Sequence, residues 1–227
     1  IRTLISMETL NVLLVGDSGS GKSVLIHAIV NEYYDNHPNP NNILTITNLK
    51  DQGISYYRGE VKTFCQTASI VPGKKKILLL DDLDAINEQS QQVFRNCIDK
   101  YSQNVLFIAS CTNTQKIIDS IQSRMTLIKL SVFTNEQLQH ILENICTKEN
   151  IKINSDAKKF IISICNNSAR ILVNYLEKFK LISKQITLEL AISACTNIPF
   201  QEFVKYTEFC LSHDKLKQAI QIMCNLT

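Results

Sequence analysis

No apolar run in these 227 residues approaches the roughly 20 needed to span a bilayer, and the opening IRTLISMETLN lacks the long apolar segment of a secretory signal. The expectation is a soluble, intracellular chain with no membrane partner. The eight cysteines are widely separated and form no C-x-x-C pair. That argues against a disulfide framework or a zinc site, and for small buried hydrophobes in a reducing compartment. His27, His37, His140 and His213 have no metal-ligand spacing. A net charge of +3 is too small to imply nucleic-acid binding by itself, so any basic surface must be local. What remains, 44% apolar and 20% charged residues, is ordinary globular composition. The length allows one large domain, or a large one with a small one.

Glycine is scarce, six in all, yet three fall in Gly16-Asp17-Ser18-Gly19-Ser20-Gly21-Lys22-Ser23. This spacing is that of a phosphate-binding loop. NVLLV before it suits a short buried strand. KSVLIHAIVNEYY after it carries apolar residues at helical spacing, with Val24, Leu25, Ala28 and Ile29 expected on one face. Glycines let the backbone turn its N–H groups inward, the helix N-terminus favours an anion, Lys22 supplies a cation for the outer phosphates and the Ser23 hydroxyl is a magnesium ligand.

Strand and helix then alternate: ILTIT (strand), GISYYRGEVKTFCQT (helix), a Pro72-Gly73 turn, ILLLDDLD (strand), NEQSQQVFRNCIDKYS (helix), NVLFIAS (strand), TQKIIDSI (short helix) and TLIKL (strand). Such alternation predicts an α/β fold with a parallel sheet covered on both faces and ligands at the strands' C-terminal ends. Lys74-Lys75-Lys76 reads as a solubilising turn. From Thr134 the pattern is helical only, opening on a capping-box spacing of Thr134 and Gln137. A boundary is expected near Ser131, with segments 1–131, 132–186 and 187–227.

The buried run Ile77-Leu78-Leu79-Leu80 would carry Asp81 and Asp82 to the sheet edge that bears the phosphate loop. There Asp81 can hold magnesium through water and Asp82 can polarise an attacking water. Asp84 reads as a helix cap or a solvated acid. Arg58 and Lys62, four apart, share a helix face, and Arg95 lies on the next helix.

Several segments in order resemble one family. Residues 44–64 contain Gly53, Ile54, Arg58, Lys62 and Phe64 in its pattern. QQVFRNCIDKYS is similar to its Gln-Gln-x-x-Arg-x-x-x-Glu-x-Tyr-Ser helix. Lys116-Ile117-Ile118 leads into Ile121-Gln122-Ser123-Arg124, and Asn167-Ser168-Ala169-Arg170 is followed by Asn174. The chain thereby resembles a small subunit of the replication factor C type of sliding-clamp loader, a branch of the AAA+ ATPases. The resemblance implies a phosphate-loop AAA+ sheet covered by helices (1–131), a helical lid (132–186) and the start of a helical collar (187–227), the last matching only the collar's beginning.

It further implies ATP and Mg²⁺ as cofactors and catalytic roles for Lys22 and Asp82. Arg124 would act in trans on a neighbour's γ-phosphate, and Arg170 would contact phosphate in cis. Thr112 or its neighbour Asn113 would stand at the sensor position beside the γ-phosphate. Arg58, Lys62 and Arg95 would lie along a channel tracking a primer-template DNA backbone. Partners would be other loader subunits in a hetero-oligomer, a pentamer by the family's pattern, together with a ring-shaped clamp. The setting would be the nucleus, or a viral replication site. The sequence departs from the family at Asp82, where Glu is usual, at Gln52, Met125 and Asn167-Ser168. Two other readings stay open: a subunit that binds ATP and donates Arg124 while hydrolysing little, and another AAA+ remodeller of initiator or checkpoint-loader type.

Overall fold

The computed structural model of the chain describes residues 11–46, 56–182, 185–195 and 200–211, together with positions 5, 217 and 220. Gln52, Gly53, Ile54 and Cys224 lie outside the described residues, as do the first residues of the expected second helix. The chain divides into two compact units, Ile1–Val132 and Phe133–Thr227.

The first unit is a five-stranded sheet: β1 (Val12–Val15), β2 (Ile43–Ile46), β3 (Lys76–Leu80), β4 (Val105–Cys111) and β5 (Thr126–Lys129). The strand order is β2-β3-β4-β1-β5 and every pairing is parallel. Because side chains alternate faces along a strand, the apolar runs divide cleanly. Leu13, Leu78, Leu80, Phe107 and Ala109 enter one core cluster with Val61, Cys65, Phe94 and Ile98. Val12, Leu14, Ile77, Leu79, Leu106 and Ile108 enter another with Ile26, Ile29, Val30 and Tyr33. Burial on both faces is why these strands read as near-continuous Leu/Ile/Val.

Helix α1 (Lys22–Tyr33) covers the second face. Its buried side is Ile26, Ile29, Val30 and Tyr33; of the expected face, Ile29 is buried and Leu25 packs against the core, but Val24 is 74% exposed and Ala28 is exposed too. Apolar residues surround much of this helix, so periodicity alone leaves the buried face open. The opposite face of the sheet is covered by a π-helical turn, Tyr57–Val61, running into α2 (Lys62–Gln66), by α3 (Glu88–Tyr101) and by α4 (Asp119–Gln122). The short helix expected over TQKIIDSI is split into a 3₁₀ turn, Thr114–Lys116, two extended residues and α4.

The basic run 74–76 is not a solubilising turn. Lys74 pairs with Asp35 at 3.0 Å and donates to the Tyr33 carbonyl. Lys76 is buried, donating to Phe64 O and Thr67 Oγ1 at the C-terminal end of α2, with its ammonium 4.2 Å from the centre of the Phe64 ring. A cation there answers the orphan carbonyls of a helix end. Its burial depresses the Lys76 pKa.

The second unit is helical: α5 (Asn135–Glu149), α6 (Ser155–Ile164), α7 (Ala169–Ile182), α8 (Leu188–Cys195) and α9 (Phe200–Leu211). Helix α5 opens with both halves of the capping box, Gln137 N–H to Thr134 Oγ1 and Thr134 N–H to Gln137 Oε1. Leu138, Leu142, Ile161, Leu172, Leu176 and Phe179 form its core. Five of the seven described cysteines are buried and all seven are free thiols. Among the described residues no helix is long and apolar enough to cross a membrane.

Candidate nucleotide site

Gly16 through Ser23 leave the C-terminal end of β1 and enter α1. Gly16 must lack a side chain, because a Cβ there would lie 2.8 Å from Ser20 Oγ and 3.2 Å from Leu130 O. Gly19 (φ 81°) and Gly21 (φ 89°) take left-handed backbone that other residues resist. Asp17 and Ser18 are exposed on the rim. Gly21 is the N-cap of α1 and no side chain caps that terminus, so its first N–H groups are available to an anion.

Lys22 is buried, and its ammonium folds back onto the loop, donating to Gly16 O at 2.7 Å and Asp17 O at 3.0 Å. Ser20 Oγ is buried without a hydrogen-bond partner among the described residues. A buried cation held only by carbonyls, beside an orphaned hydroxyl and an uncapped helix end, fits a phosphate chain.

The strand order puts the ends of β3 and β4 beside this loop. Gly16 N–H reaches the Cys111 carbonyl at the end of β4 (3.2 Å). Ser23 Oγ donates to Asp81 Oδ2 at 3.2 Å across 58 residues of sequence, so the two expected magnesium ligands come together. One hydroxyl and one carboxylate suit Mg²⁺, which keeps several waters and takes further oxygens from phosphate. The second oxygen, Asp81 Oδ1, accepts from Ser110 Oγ at 2.5 Å, and Ser110 Oγ accepts the Asp82 N–H at 3.0 Å. Sequence reading missed Ser110. A fully buried hydroxyl within the otherwise apolar VLFIASC strand was the signal. Asp82 is exposed in left-handed conformation (φ 55°), a region Asp tolerates better than Glu.

Asp84, expected as a cap or a solvated acid, anchors the segment that follows β4 instead. Its Oδ2 accepts from Thr112 Oγ1 (2.6 Å), Thr112 N–H (3.1 Å) and Asn113 N–H (3.0 Å). Burial would raise its pKa, but these hydrogen bonds more than reverse that and hold it below the ordinary 3.8. The Thr112 hydroxyl proton is committed to Asp84. Asn113 Oδ1 accepts from Gln115 N–H and caps the following turn, while its amide nitrogen is the polar group left over.

Arg124 precedes β5, whose first residue donates to Asn11 O at the start of β1. It therefore lies at the sheet edge opposite the phosphate loop, a strand length of about 13 Å away for four residues at ~3.3 Å each. It is not placed to serve its own loop. Its guanidinium donates to Asp99 Oδ1 (2.5 Å) and Ser120 O (2.7 Å). Hydrogen bonding from Arg124 leads the causes that hold the Asp99 carboxyl below its ordinary range. Arg95, expected on a DNA-facing surface, stands 3.3 Å from the other Asp99 oxygen and within hydrogen-bond reach of Asn96 Oδ1. Arg170 is exposed in the first turn of α7, in the second unit.

A parallel sheet with a phosphate loop after the strand between β4 and β5, acids after β3 and a polar segment after β4 defines the phosphate-loop class of nucleotide-binding folds. The model of the ATPase family associated with various cellular activities (AAA) matches residues 12–132, and the chain belongs to that family. It is 28% identical over 216 residues to replication factor C subunit 5 of Mus musculus, covering 94% of this chain and 63% of that protein. It is 29% identical over 216 residues to the replication factor C small subunit of Methanococcus maripaludis, covering 95% and 68%. The chain thus spans just under two thirds of its mouse relative. Among solved structures, domain III of the Thermotoga maritima replication initiation protein DnaA superposes with a TM-score of 0.64 at 19% identity, covering 85% of this chain and 87% of that one. The Thermotoga maritima RuvB Holliday junction branch migration motor gives 0.64 at 15%, covering 85% and 64%. These two likenesses are of fold.

Proposed function

We propose that the chain is an ATPase subunit of a sliding-clamp loader, which with partner subunits opens a ring-shaped clamp and places it on primer-template DNA. The observation that carries the ATPase part is the Ser23–Asp81 contact beside the buried Lys22. The loader part rests on likeness to replication factor C subunits along 94–95% of the chain. In this reading, backbone N–H groups of residues 16–23 and Lys22 bind the phosphates of ATP. Ser23 and Asp81 would hold Mg²⁺, which would supply neutralisation of the phosphate charge. Asp82 orients the attacking water, and Thr112 with Asn113 senses the γ-phosphate. Arg124 completes a neighbour's site, and Arg170 on the lid (132–186) contacts phosphate in cis. Residues 187–227 begin the collar that gathers subunits into a pentamer, and Arg58 and Lys62 meet the DNA backbone. The setting is intracellular, in a nucleus or at a viral replication site.

One feature favours a second reading, a subunit that binds ATP and hydrolyses little. Asp82 is one methylene shorter than the usual Glu, and its left-handed backbone is tethered through its N–H to Ser110.

The deciding test is assembly: tagged chain purified from its native source should bring down related AAA+ subunits and a ring clamp, and primed DNA with clamp should raise ATP turnover. Recovery of the chain with neither would refute the loader reading. The Asp84 anchor makes a finer prediction. Asp84→Ala should lower turnover by about 10- to 100-fold, the scale of a 1 Å misplacement, with ATP affinity unchanged, and Asp84→Asn should recover part of the loss. Because the folded pKa is depressed, the anchor is at full strength above the ordinary carboxylate range and is lost only as pH falls through and below it.

A further inference from the structure

All seven residues of β4 are buried, and Ser110 alone among them carries a hydroxyl. Alternation along the strand sends Val105, Phe107 and Ala109 into one core cluster and Leu106 and Ile108 into the other. Ser110 therefore takes the face of Leu106 and Ile108, the face that α1 covers and from which Ser23 projects. The pattern at that position calls for an apolar side chain, and a hydroxyl buried there without partners would cost about 1–3 kcal/mol. Its partners account for it.

Buried serines commonly bond to backbone groups a few residues away. Ser110 instead reaches across 28 and 29 residues of sequence, to Asp82 and Asp81. A serine hydroxyl has one proton to give and two lone pairs to accept with. The Asp82 N–H can only donate, so at 3.0 Å it occupies a lone pair of Ser110 Oγ. The hydroxyl proton is thereby directed to Asp81 Oδ1, at 2.5 Å. The other carboxylate oxygen, Asp81 Oδ2, accepts from Ser23 Oγ at 3.2 Å. The Asp81 N–H is bound to the Ile46 carbonyl of β2, also at 3.2 Å. With its backbone held from β2 and Oδ1 held from β4, the carboxylate keeps one setting, in which Oδ2 faces Ser23.

We propose that Ser110 is a positioning residue for the metal-facing carboxylate: its hydroxyl occupies Asp81 Oδ1 and so keeps Oδ2 turned to Ser23. Ser110 does not itself meet nucleotide or metal, being 0% exposed with its proton already given to Asp81. Its effect passes through Asp81. Groups that orient a ligand in this way are worth about 10- to 100-fold in metal affinity.

The inference rests on the Mg²⁺–ATP part of the proposed function, and the experiment separates the two. Calorimetry measures ATP binding by the wild-type chain, Ser110→Ala and Ser110→Thr, each with Mn²⁺ and in chelator, Mn²⁺ being a probe that takes the same oxygen ligands as Mg²⁺. Ser110→Ala should bind ATP about 10-fold or more weakly than wild type in Mn²⁺ and as well as wild type in chelator. Ser110→Thr keeps the hydroxyl and should recover most of the loss. If Ser110→Ala melts well below wild type, Ser110→Cys, of similar shape but a weaker donor, carries the same comparison and should show the same selective loss in Mn²⁺. Unchanged affinity in Mn²⁺ would overturn the proposal, and so would an equal loss with and without metal, the mark of a general disturbance of the loop. Either result, beside a wild type that binds ATP more tightly with Mn²⁺, leaves the Mg²⁺–ATP reading standing. A wild type that gains nothing from Mn²⁺ would remove that reading and this inference with it.

Discussion

Arg124→Ala should cut ATP turnover of the assembled complex at the adjoining site by about 100-fold or more, the scale of losing one guanidinium from a phosphoryl-transfer site. This chain's own ATP affinity should stay as it was. The sheet supplies the reason: Arg124 sits at the edge bearing the start of β1, and the phosphate loop at the edge bearing its end. In the proposed reading, a side chain so placed contributes to catalysis through a neighbour. Asp99 and the Ser120 carbonyl already hold the guanidinium in place, so little ordering remains to be done when subunits meet. Arg124→Lys keeps the charge and can still pair with Asp99, but loses the planar fork. It should recover only part of the rate. Unchanged turnover in an Arg124→Ala complex would remove the trans role.

Lys22→Ala should weaken ATP binding by about 100-fold or more, since stripping one partner from a buried charged pair costs about 3–5 kcal/mol. In the structure the ammonium is satisfied by two carbonyls, Gly16 O and Asp17 O, and makes no hydrogen bond to a carboxylate. Those carbonyls neutralise it only partly, which is the state an incoming phosphate improves. The same contacts tie the ends of the loop together, so the variant should also melt slightly lower. That loss is local, because Lys22 lies outside the two core clusters of the sheet.

The phosphate loop was legible because its chemistry is its sequence: Gly16, Gly19 and Gly21 are demanded by close approach and positive φ wherever such a loop occurs. The strands were legible because burial on two faces leaves apolar runs such as Ile77-Leu78-Leu79-Leu80. What escaped depends on contacts between distant segments. Asp84 meets Thr112 only because β3 and β4 are neighbours. Lys76 reads as one of three basic residues until the end of α2 is laid over it. Arg95 reads as one more surface cation, and only the fold shows Asp99 shared between it and Arg124. Val24 falls on the expected apolar face yet is exposed, because a helix apolar on most sides gives periodicity little to choose by.

The central claim, that residues 16–23 with Asp81 bind Mg²⁺ and ATP, is tested most directly by calorimetric titration of ATP into the wild-type chain and into Lys22→Ala, each with Mg²⁺ and with chelator. Wild type should bind with Mg²⁺ and more weakly without it, and Lys22→Ala should show no binding at the concentrations where wild type saturates. ATP binding of equal strength by the two proteins would contradict it.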